Sequence, residues 1–217
     1  MKAKIVISLI FLWIFISCSA EKKNIVKIAE IKQPAPKKIQ PEVFNGIIDN
    51  FEKFSLWQKK NLDNNFITLR VIKDLEKVSN HIGEIDYRIG YSTEEYKSYV
   101  LLELYKKMNF SKYNGVMFTA KGTDNVKFRF KIYEVEEYLP GEKIKEIWYR
   151  DFRVSDKWEE YKLPFSSLRV EEYWEQDYVS DNIQVFTNIA GVAITAFNSK
   201  TPEFVEGTLY IDNIKLY

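Results

Sequence analysis

Three acidic side chains, far apart in the sequence, have the chemistry to share a metal ion. An Ile-Asp-Asn triplet occurs in residues 47–53 (IIDNFEK), with Asp49 and Glu52, and again in residues 208–217 (TLYIDNIKLY), with Asp212. Carboxylate oxygens are the hard ligands that Ca²⁺ prefers. These three residues could therefore hold a structural Ca²⁺ if the two segments are neighbours. On spacing alone the alternative is favoured, in which Asp49 caps a turn and Asp212 is exposed at a sheet edge.

The apolar residues of the last segment predict an irregularity in its strand. Leu209 and Ile211 lie at alternate positions, and so do Ile214 and Leu216, but the two pairs have opposite parity. Because successive side chains of a strand point to opposite faces, a regular strand cannot direct all four at one core. A bulge at residues 212–213 would correct the parity.

Most of the sequence after residue 43 reads as short strands. Its segments alternate apolar and polar residues, are rich in Val, Ile, Tyr, Phe and Thr, and are separated by Asn, Gly, Asp and Ser. The predicted strands are residues 66–72, 84–91, 98–105, 115–121, 125–133, 144–154, 159–165, 189–197 and 208–217. Many strands without intervening helices predict an all-β fold, an antiparallel β-sandwich of the jelly-roll type.

The start of the sequence predicts export and lipid attachment. Lys2 and Lys4 precede an apolar run that is short for a membrane span, so residues 1–17 are expected to be a signal peptide. The sequence FISC, which ends at Cys18, resembles a bacterial lipobox, in which the cysteine becomes lipidated. The alternative is an ordinary signal peptide with a coincidental cysteine.

A tether and one domain are expected to follow the lipidated cysteine. Residues 18–43 contain three of the six prolines, interleaved with lysines, and this composition favours an extended spacer. Residues 44–217 supply enough apolar material for one globular core. We therefore expect the domain to stand off a bacterial membrane in the cell envelope, on the periplasmic or the outer surface.

The charge balance and the available catalytic groups argue against two other classes of protein. The formal net charge is +1, which gives no reason to expect nucleic acid as a partner. The single histidine, His81, has no serine or aspartate motif around it, and no phosphate-binding glycine pattern occurs. Adjacent acids such as Glu136 and Glu137 would point to opposite faces of a strand, whereas a glycosidase needs two acids that face each other. The sequence therefore predicts a protein that is not an enzyme.

Several segments carry a family resemblance through their order along the chain. They are IIDNFEK (47–53), Trp57, FSKYNGVMFTAKG (110–122), VKFRFKI (126–132), KWEEYKLPFSSL (157–168) and TLYIDNIKLY (208–217). This order resembles the family-11 carbohydrate-binding modules and the related domain of complex I intermediate-associated proteins. The resemblance covers the whole predicted domain. It implies a galactose-binding-domain-like jelly roll with a structural Ca²⁺ near the chain ends, and it implies sugar binding.

The strand alternation and one loop supply candidate ligand contacts. Sugar-binding faces combine aromatic planes with hydrogen-bonding side chains. Phe128 and Phe130 are expected in the core, so their neighbours on the same strand point outward. The same reasoning applies to the strand that contains Phe152. The predicted contacts are Arg129, Tyr133, Tyr149 and Asp151 on the strands, and Trp174 in a loop.

Two functions remain open on the sequence alone. In the first, a lipoprotein anchored in the membrane binds carbohydrate or cell-envelope polysaccharide through the exposed face of the sandwich. In the second, a structural or assembly lipoprotein uses the same jelly roll to bind a protein partner. A groove lined by aromatic planes would favour the first, whereas a flat patch of isolated apolar residues would favour the second.

Overall fold

The computed structural model describes the predicted domain with short gaps. The described residues are 44–53, 55–60, 65–74, 80–92, 98–123, 126–136, 144–171, 183–198 and 203–217. They belong to one compact unit, residues 42–217. The signal peptide, Cys18, the tether and Trp174 lie outside the described residues.

The described chain consists of twelve strands and one short 3₁₀ helix, Phe165–Ser167. The strands are β1 (Ile47–Asp49), β2 (Gln58–Lys60), β3 (Phe66–Lys73), β4 (His81–Ile89), β5 (Tyr99–Met108), β6 (Gly115–Gly122), β7 (Lys127–Val135), β8 (Ile144–Arg153), β9 (Glu159–Pro164), β10 (Arg169–Val170), β11 (Ile189–Phe197) and β12 (Val205–Leu216). All nine predicted strands are present, and the three that alternation did not reveal have two or three residues each. None of the described residues form a helix long and apolar enough to cross a membrane.

The strands form two antiparallel sheets of six strands each. The first sheet has the order β3-β4-β12-β6-β9, with β1 paired to the end of β12. The second has the order β10-β8-β7-β11-β5-β2. The predicted antiparallel β-sandwich of the jelly-roll type is therefore confirmed.

One apolar core lies between the two sheets. It is built from alternate residues of each strand, because a strand buries one of its two faces. On β7, for example, Phe128, Phe130 and Ile132 are at most 1% exposed. On β6, Phe118 stacks on Phe130 with a centroid distance of 6.2 Å, so rings from the two sheets interlock. These inward side chains leave the intervening residues of each strand on the outer faces.

The predicted bulge in β12 is confirmed. The pairing of β12 with β6 shifts register between Asp212 and Lys215, and Asn213 has a φ of 53°. Asparagine tolerates this left-handed conformation better than most residues do. All four apolar side chains around the bulge are consequently buried: Leu209, Ile211, Ile214 and Leu216.

Candidate ligand-binding face

The predicted contacts lie on the outer surface of the second sheet, which we call the ligand face. On β7 the outward residues alternate with the buried phenylalanines, and Arg129 pairs in register with Asp151 of β8. Tyr149 is on the same surface, since the Arg129 guanidinium lies 3.7 Å from its ring centroid. Arg129, Tyr149 and Asp151 therefore point outward, as their alternation predicts, and the structure brings them together; their contact with a ligand stays a prediction.

Arg129 is held in place by two carboxylates and an aromatic ring. Its Nε donates to Asp151 Oδ1 at 2.7 Å, and one terminal nitrogen donates to Asp151 Oδ2 at 3.3 Å. The other terminal nitrogen donates to Glu171 Oε1 at 2.7 Å. A guanidinium bound in this forked way and stacked on Tyr149 has little freedom to rotate. The charged group is thus in position before any ligand arrives.

The charges of this network also shift the pKa values of Asp151 and Arg129. Burial alone would raise the pKa of Asp151, but the hydrogen bonds and charges of Arg129 and Lys127 outweigh burial and lower it. Burial likewise opposes the charged form of Arg129, yet Asp151 and Glu171 raise the pKa of the guanidinium. Both pKa shifts favour the charged forms that make up the ion pair of Arg129 with Asp151.

Glu171 belongs to this network and was missed at the sequence level. It follows β10, a strand of two residues, and its backbone N–H donates to the carbonyl of Ile147 at 2.8 Å. Its side chain accepts hydrogen bonds from Arg129 and, at 2.7 Å, from Lys131 Nζ. A strand this short has no alternation to reveal which face its residues occupy.

Tyr133 lies on the ligand face, but the expectation that it is open to a ligand is wrong. It is 3% exposed, and its hydroxyl donates to Glu103 Oε1 at 2.7 Å. Burial, together with the charge of Glu103, raises the pKa of this phenol. Tyr105, which is 49% exposed, stacks on Tyr133 with a centroid distance of 6.0 Å and an interplanar angle of 25°. Tyr133 thus supports Tyr105, which presents the accessible ring.

Tyr105 could have been found in the sequence. In SYVLLELY the apolar residues Val100, Leu102 and Leu104 alternate with Tyr99, Leu101, Glu103 and Tyr105. The first set is buried in the core and the second occupies the ligand face, where Tyr133 packs with Leu101. The same alternation used for β7 would therefore have placed both tyrosines of β5 on the ligand face.

A second aromatic pair lies toward the other end of β5. The rings of Tyr99 and Phe197 have a centroid distance of 5.9 Å, and the Arg129 guanidinium lies 4.9 Å from the Phe197 ring. Tyr99 and Tyr105 are six residues apart on one strand, which corresponds to roughly 20 Å at the rise of a β-strand. The ligand face therefore has two aromatic platforms separated by charged groups, over a length that suits an extended ligand.

The proposed calcium ligands are neighbours in the fold, but their oxygens are already engaged. β1 pairs with β12, with Asp49 opposite Ile214, so the two Ile-Asp-Asn segments do lie side by side. Asp49 Oδ1 accepts the N–H of Phe51 at 2.8 Å, and Oδ2 accepts from Trp57 Nε1 at 2.8 Å. Asp49 caps a turn in which Phe51 has a φ of 58°.

The other two acids are also bound within their own surroundings. Glu52 accepts the backbone N–H of His81 at 3.0 Å and pairs with its ring at 3.1 Å, and the backbone hydrogen bond is the main cause that lowers the pKa of Glu52. Asp212 is 3% exposed, not at a sheet edge, and accepts from Asn80 and Asn213. Among the described residues no three His, Cys, Asp or Glu side chains converge as metal ligands. The Ca²⁺ stays a prediction, and the hydrogen bonds of these carboxylates do not favour it.

A separate cleft of about 690 Å³ lies away from the ligand face. It opens between β2 and β3, where Trp57, Leu69 and His81 form part of its wall. Its concave shape alone does not make the cleft the better candidate for a ligand site, because the indole Nε1 of Trp57 in its wall already donates to Asp49. The ligand face instead combines aromatic planes with fixed charges along roughly 20 Å of strand.

A β-sandwich with an open, aromatic-lined outer face has the architecture of a carbohydrate-binding module. The chain belongs to the family described as "Carbohydrate binding domain (family 11)", whose sequence model matches residues 32–217. The family resemblance noted in the sequence is therefore confirmed. No curated protein matches the chain.

Solved structures of family-11 modules share the fold. The module from Clostridium thermocellum in complex with a β-1,3-1,4-mixed-linked tetrasaccharide has a TM-score of 0.62 and 19% identity, covering 79% of this chain and 94% of that chain. The module of the cellulosomal cellulase Lic26A-Cel5E of the same organism has a TM-score of 0.61 and 18% identity, covering 81% and 95%. At this level of identity the likeness establishes the fold.

Proposed function

We propose that this domain binds carbohydrate through the ligand face. The observation that carries the proposal is the pair of aromatic platforms, Tyr105 at one end and Tyr99 with Phe197 at the other, on either side of a fixed guanidinium. Membership of family 11 and the likeness to a module solved with a tetrasaccharide support it. The second sheet would then act as the binding surface and the first sheet as its support.

The two kinds of side chain on this face would have different roles. Aromatic rings stack on the apolar sides of pyranose rings, and charged or amide groups hydrogen-bond to hydroxyls. Tyr105 is supported by Tyr133, and Arg129 is held by carboxylates, so binding would immobilise few additional rotamers. Gln58 pairs in register with Glu103 and adds a hydrogen-bonding group at the β2 edge.

Removal of either aromatic platform should weaken binding. We expect Tyr105→Ala and Tyr99→Ala each to lower the affinity for a bound polysaccharide about tenfold, on the order of 1.4 kcal/mol, since a stacking surface is lost. Affinity electrophoresis against a panel of soluble polysaccharides, followed by calorimetry on those that bind, measures the effect.

Tyr210→Ala is the matched control for these variants. Tyr210 pairs in register with Glu84 and Lys121 on the outer face of the first sheet, so its loss should leave the affinity unchanged. An equal loss in all three variants would contradict a site on the ligand face. Failure of the folded wild-type domain to bind any polysaccharide would favour the other function, recognition of a protein partner.

We further propose that the protein is exported and held in the cell envelope by lipid on Cys18. The basic start, the short apolar run and the lipobox-like FISC support this proposal. The proline-containing residues 18–43 would then space the ligand face from the membrane.

Replacement of the proposed lipid attachment site tests this anchoring. We expect Cys18→Ala to move the protein from the membrane fraction to the soluble fraction, because the acyl chains would have no attachment point. Fractionation with immunoblotting measures the distribution, and Lys38→Ala in the tether is the control that should stay with the membrane. Retention of the Cys18→Ala protein in the membrane would contradict lipid anchoring.

A further inference from the structure

The ligand face carries an excess of positive charge that the rest of the domain does not share. Residues 44–217 contain 24 Lys and Arg against 28 Asp and Glu, so the domain as a whole is acidic. On the β7, β8 and β10 half of the ligand face this balance is reversed. Among the residues that the structure describes, the cations there are Lys127, Arg129, Lys131, Arg153 and Arg169, and the acids are Asp151 and Glu171.

Within the described part of this face, the two acids cannot neutralise all of these cations. Asp151 pairs with Arg129 at 2.7 Å and with Lys127 at 3.3 Å, and Glu171 pairs with Arg129 and Lys131 at 2.7 Å each. Three cations therefore share two carboxylates. This network keeps a net positive charge even when every pair in it is formed.

The two remaining arginines have their charge available. Arg153 and Arg169 are both exposed, and within the described part of the chain neither forms an ion pair. Arg153 lies directly opposite Lys127 in the β7–β8 register. Like charges at directly opposed positions of a sheet are destabilising, and here Asp151 pairs with Lys127 while Arg153 has no acid partner within the described residues.

The aromatic platform of Tyr99 and Phe197 adjoins Lys127 and Arg153. Lys127 pairs with Phe197 on its other side, and Phe197 pairs with Tyr99, so one cross-strand row reads Arg153, Lys127, Phe197 and Tyr99. The Nζ of Lys127 lies 5.5 Å from the Phe197 ring centroid. A sugar ring stacked on this platform would therefore hold its substituents beside two cations.

We propose that the ligand is an acidic polysaccharide whose sugars carry carboxylates, an inference that rests on the proposed function. A neutral glycan needs hydrogen-bond partners but no surplus of cations, whereas a ligand carboxylate could pair with Arg153, which forms no ion pair within the described residues while Lys127 is paired with Asp151. The guanidinium fork of Arg153 matches the geometry of a carboxylate. The positive half of an otherwise acidic domain would also steer a polyanion to this face.

A matched pair of polymers tests the proposal. Polygalacturonate and its carboxyl-reduced derivative share one backbone and differ in charge. We expect the wild-type domain to bind polygalacturonate at least tenfold more tightly than the carboxyl-reduced polymer. The affinity for polygalacturonate should fall as the NaCl concentration rises from about 0.05 to 0.5 M. Arg153→Gln should remove most of the preference, and Arg88→Gln on the other sheet, the matched control, should leave it intact.

The possible outcomes separate this inference from the function on which it rests. Equal binding of both polymers would overturn the acidic ligand and leave carbohydrate binding in place. Binding of neutral polysaccharides without binding of polygalacturonate would also overturn the acidic ligand while leaving carbohydrate binding in place. Polyglutamate bound as tightly as polygalacturonate would also overturn it, since charge alone would then suffice. Binding of no polysaccharide at all would contradict the proposed function itself.

Discussion

Replacing Asp212 with alanine is expected to lower the free energy of unfolding by about 3 kcal/mol, because buried donors would lose their acceptor. The carboxylate is 3% exposed and accepts the backbone N–H of Asn213 at 2.7 Å, the side-chain amide of Asn213 at 2.7 Å and the amide of Asn80 at 2.8 Å. These bonds hold Asn213 at a φ of 53°, which sets the bulge. Urea denaturation followed by tryptophan fluorescence measures the change.

Two controls separate hydrogen bonding from metal binding at this position. Asp212→Asn keeps the size and one acceptor oxygen, so it should lose less stability than Asp212→Ala. If the hydrogen bonds alone explain the stabilisation, EDTA should leave the melting temperature of the wild type unchanged. A melting temperature that falls with EDTA and recovers with Ca²⁺ would instead support the predicted ion. A loss below about 1 kcal/mol in the alanine variant would contradict the role given to this carboxylate.

Replacing Arg129 with alanine is expected to affect stability and binding together. The change leaves Asp151 without its main partner, Glu171 with Lys131 alone, and Tyr149 without the cation on its ring. We expect a loss of about 2 kcal/mol in unfolding free energy, since a hydrogen bond to a charged group contributes roughly that amount and the carboxylates are partly hydrated. We also expect the affinity for polysaccharide to fall at least tenfold. Urea denaturation and calorimetry on the same protein measure both effects.

The lysine variant distinguishes the geometry of Arg129 from its charge. Arg129→Lys keeps the positive charge but cannot bind Asp151 and Glu171 at once through a planar fork. It should therefore recover part of the stability and little of the binding. Full recovery of binding by lysine would show that charge is sufficient and that the forked geometry has no role. Unchanged binding in Arg129→Ala would remove this residue from the proposed site.

Local alternation was sufficient to predict nine of the strands and the outward direction of most candidate contacts on them. The strands of the core have regular period-two patterns, so Phe128 and Phe130 were correctly placed inside and Arg129 outside. The parity change at Asp212 predicted a bulge for the same reason, since four apolar residues had to reach one core. The alternation of inward and outward side chains repeats every two residues, so it is visible in the sequence of a single strand.

Features that depend on another strand could not be predicted in this way. Tyr133 faces outward as its parity requires, but Glu103 and Tyr105 of another strand bury it. Asp49 stays a predicted Ca²⁺ ligand, and alternation did not reveal that Trp57, which lies outside β1, donates to its Oδ2. Alternation gives the face of a residue and leaves open what covers it.

The short pairing of β1 with the end of β12 also fixes how far the chain can be shortened. A protein starting after Asn50 would lack Ile48, which is 5% exposed in the core, and would lose the partner of Lys215. Unpaired N–H and C=O groups would then remain on one flank of β12, ready to recruit a strand from a second molecule. Recombinant versions cut at that point would be prone to self-association, whereas a start at or before Phe44 retains the protective strand.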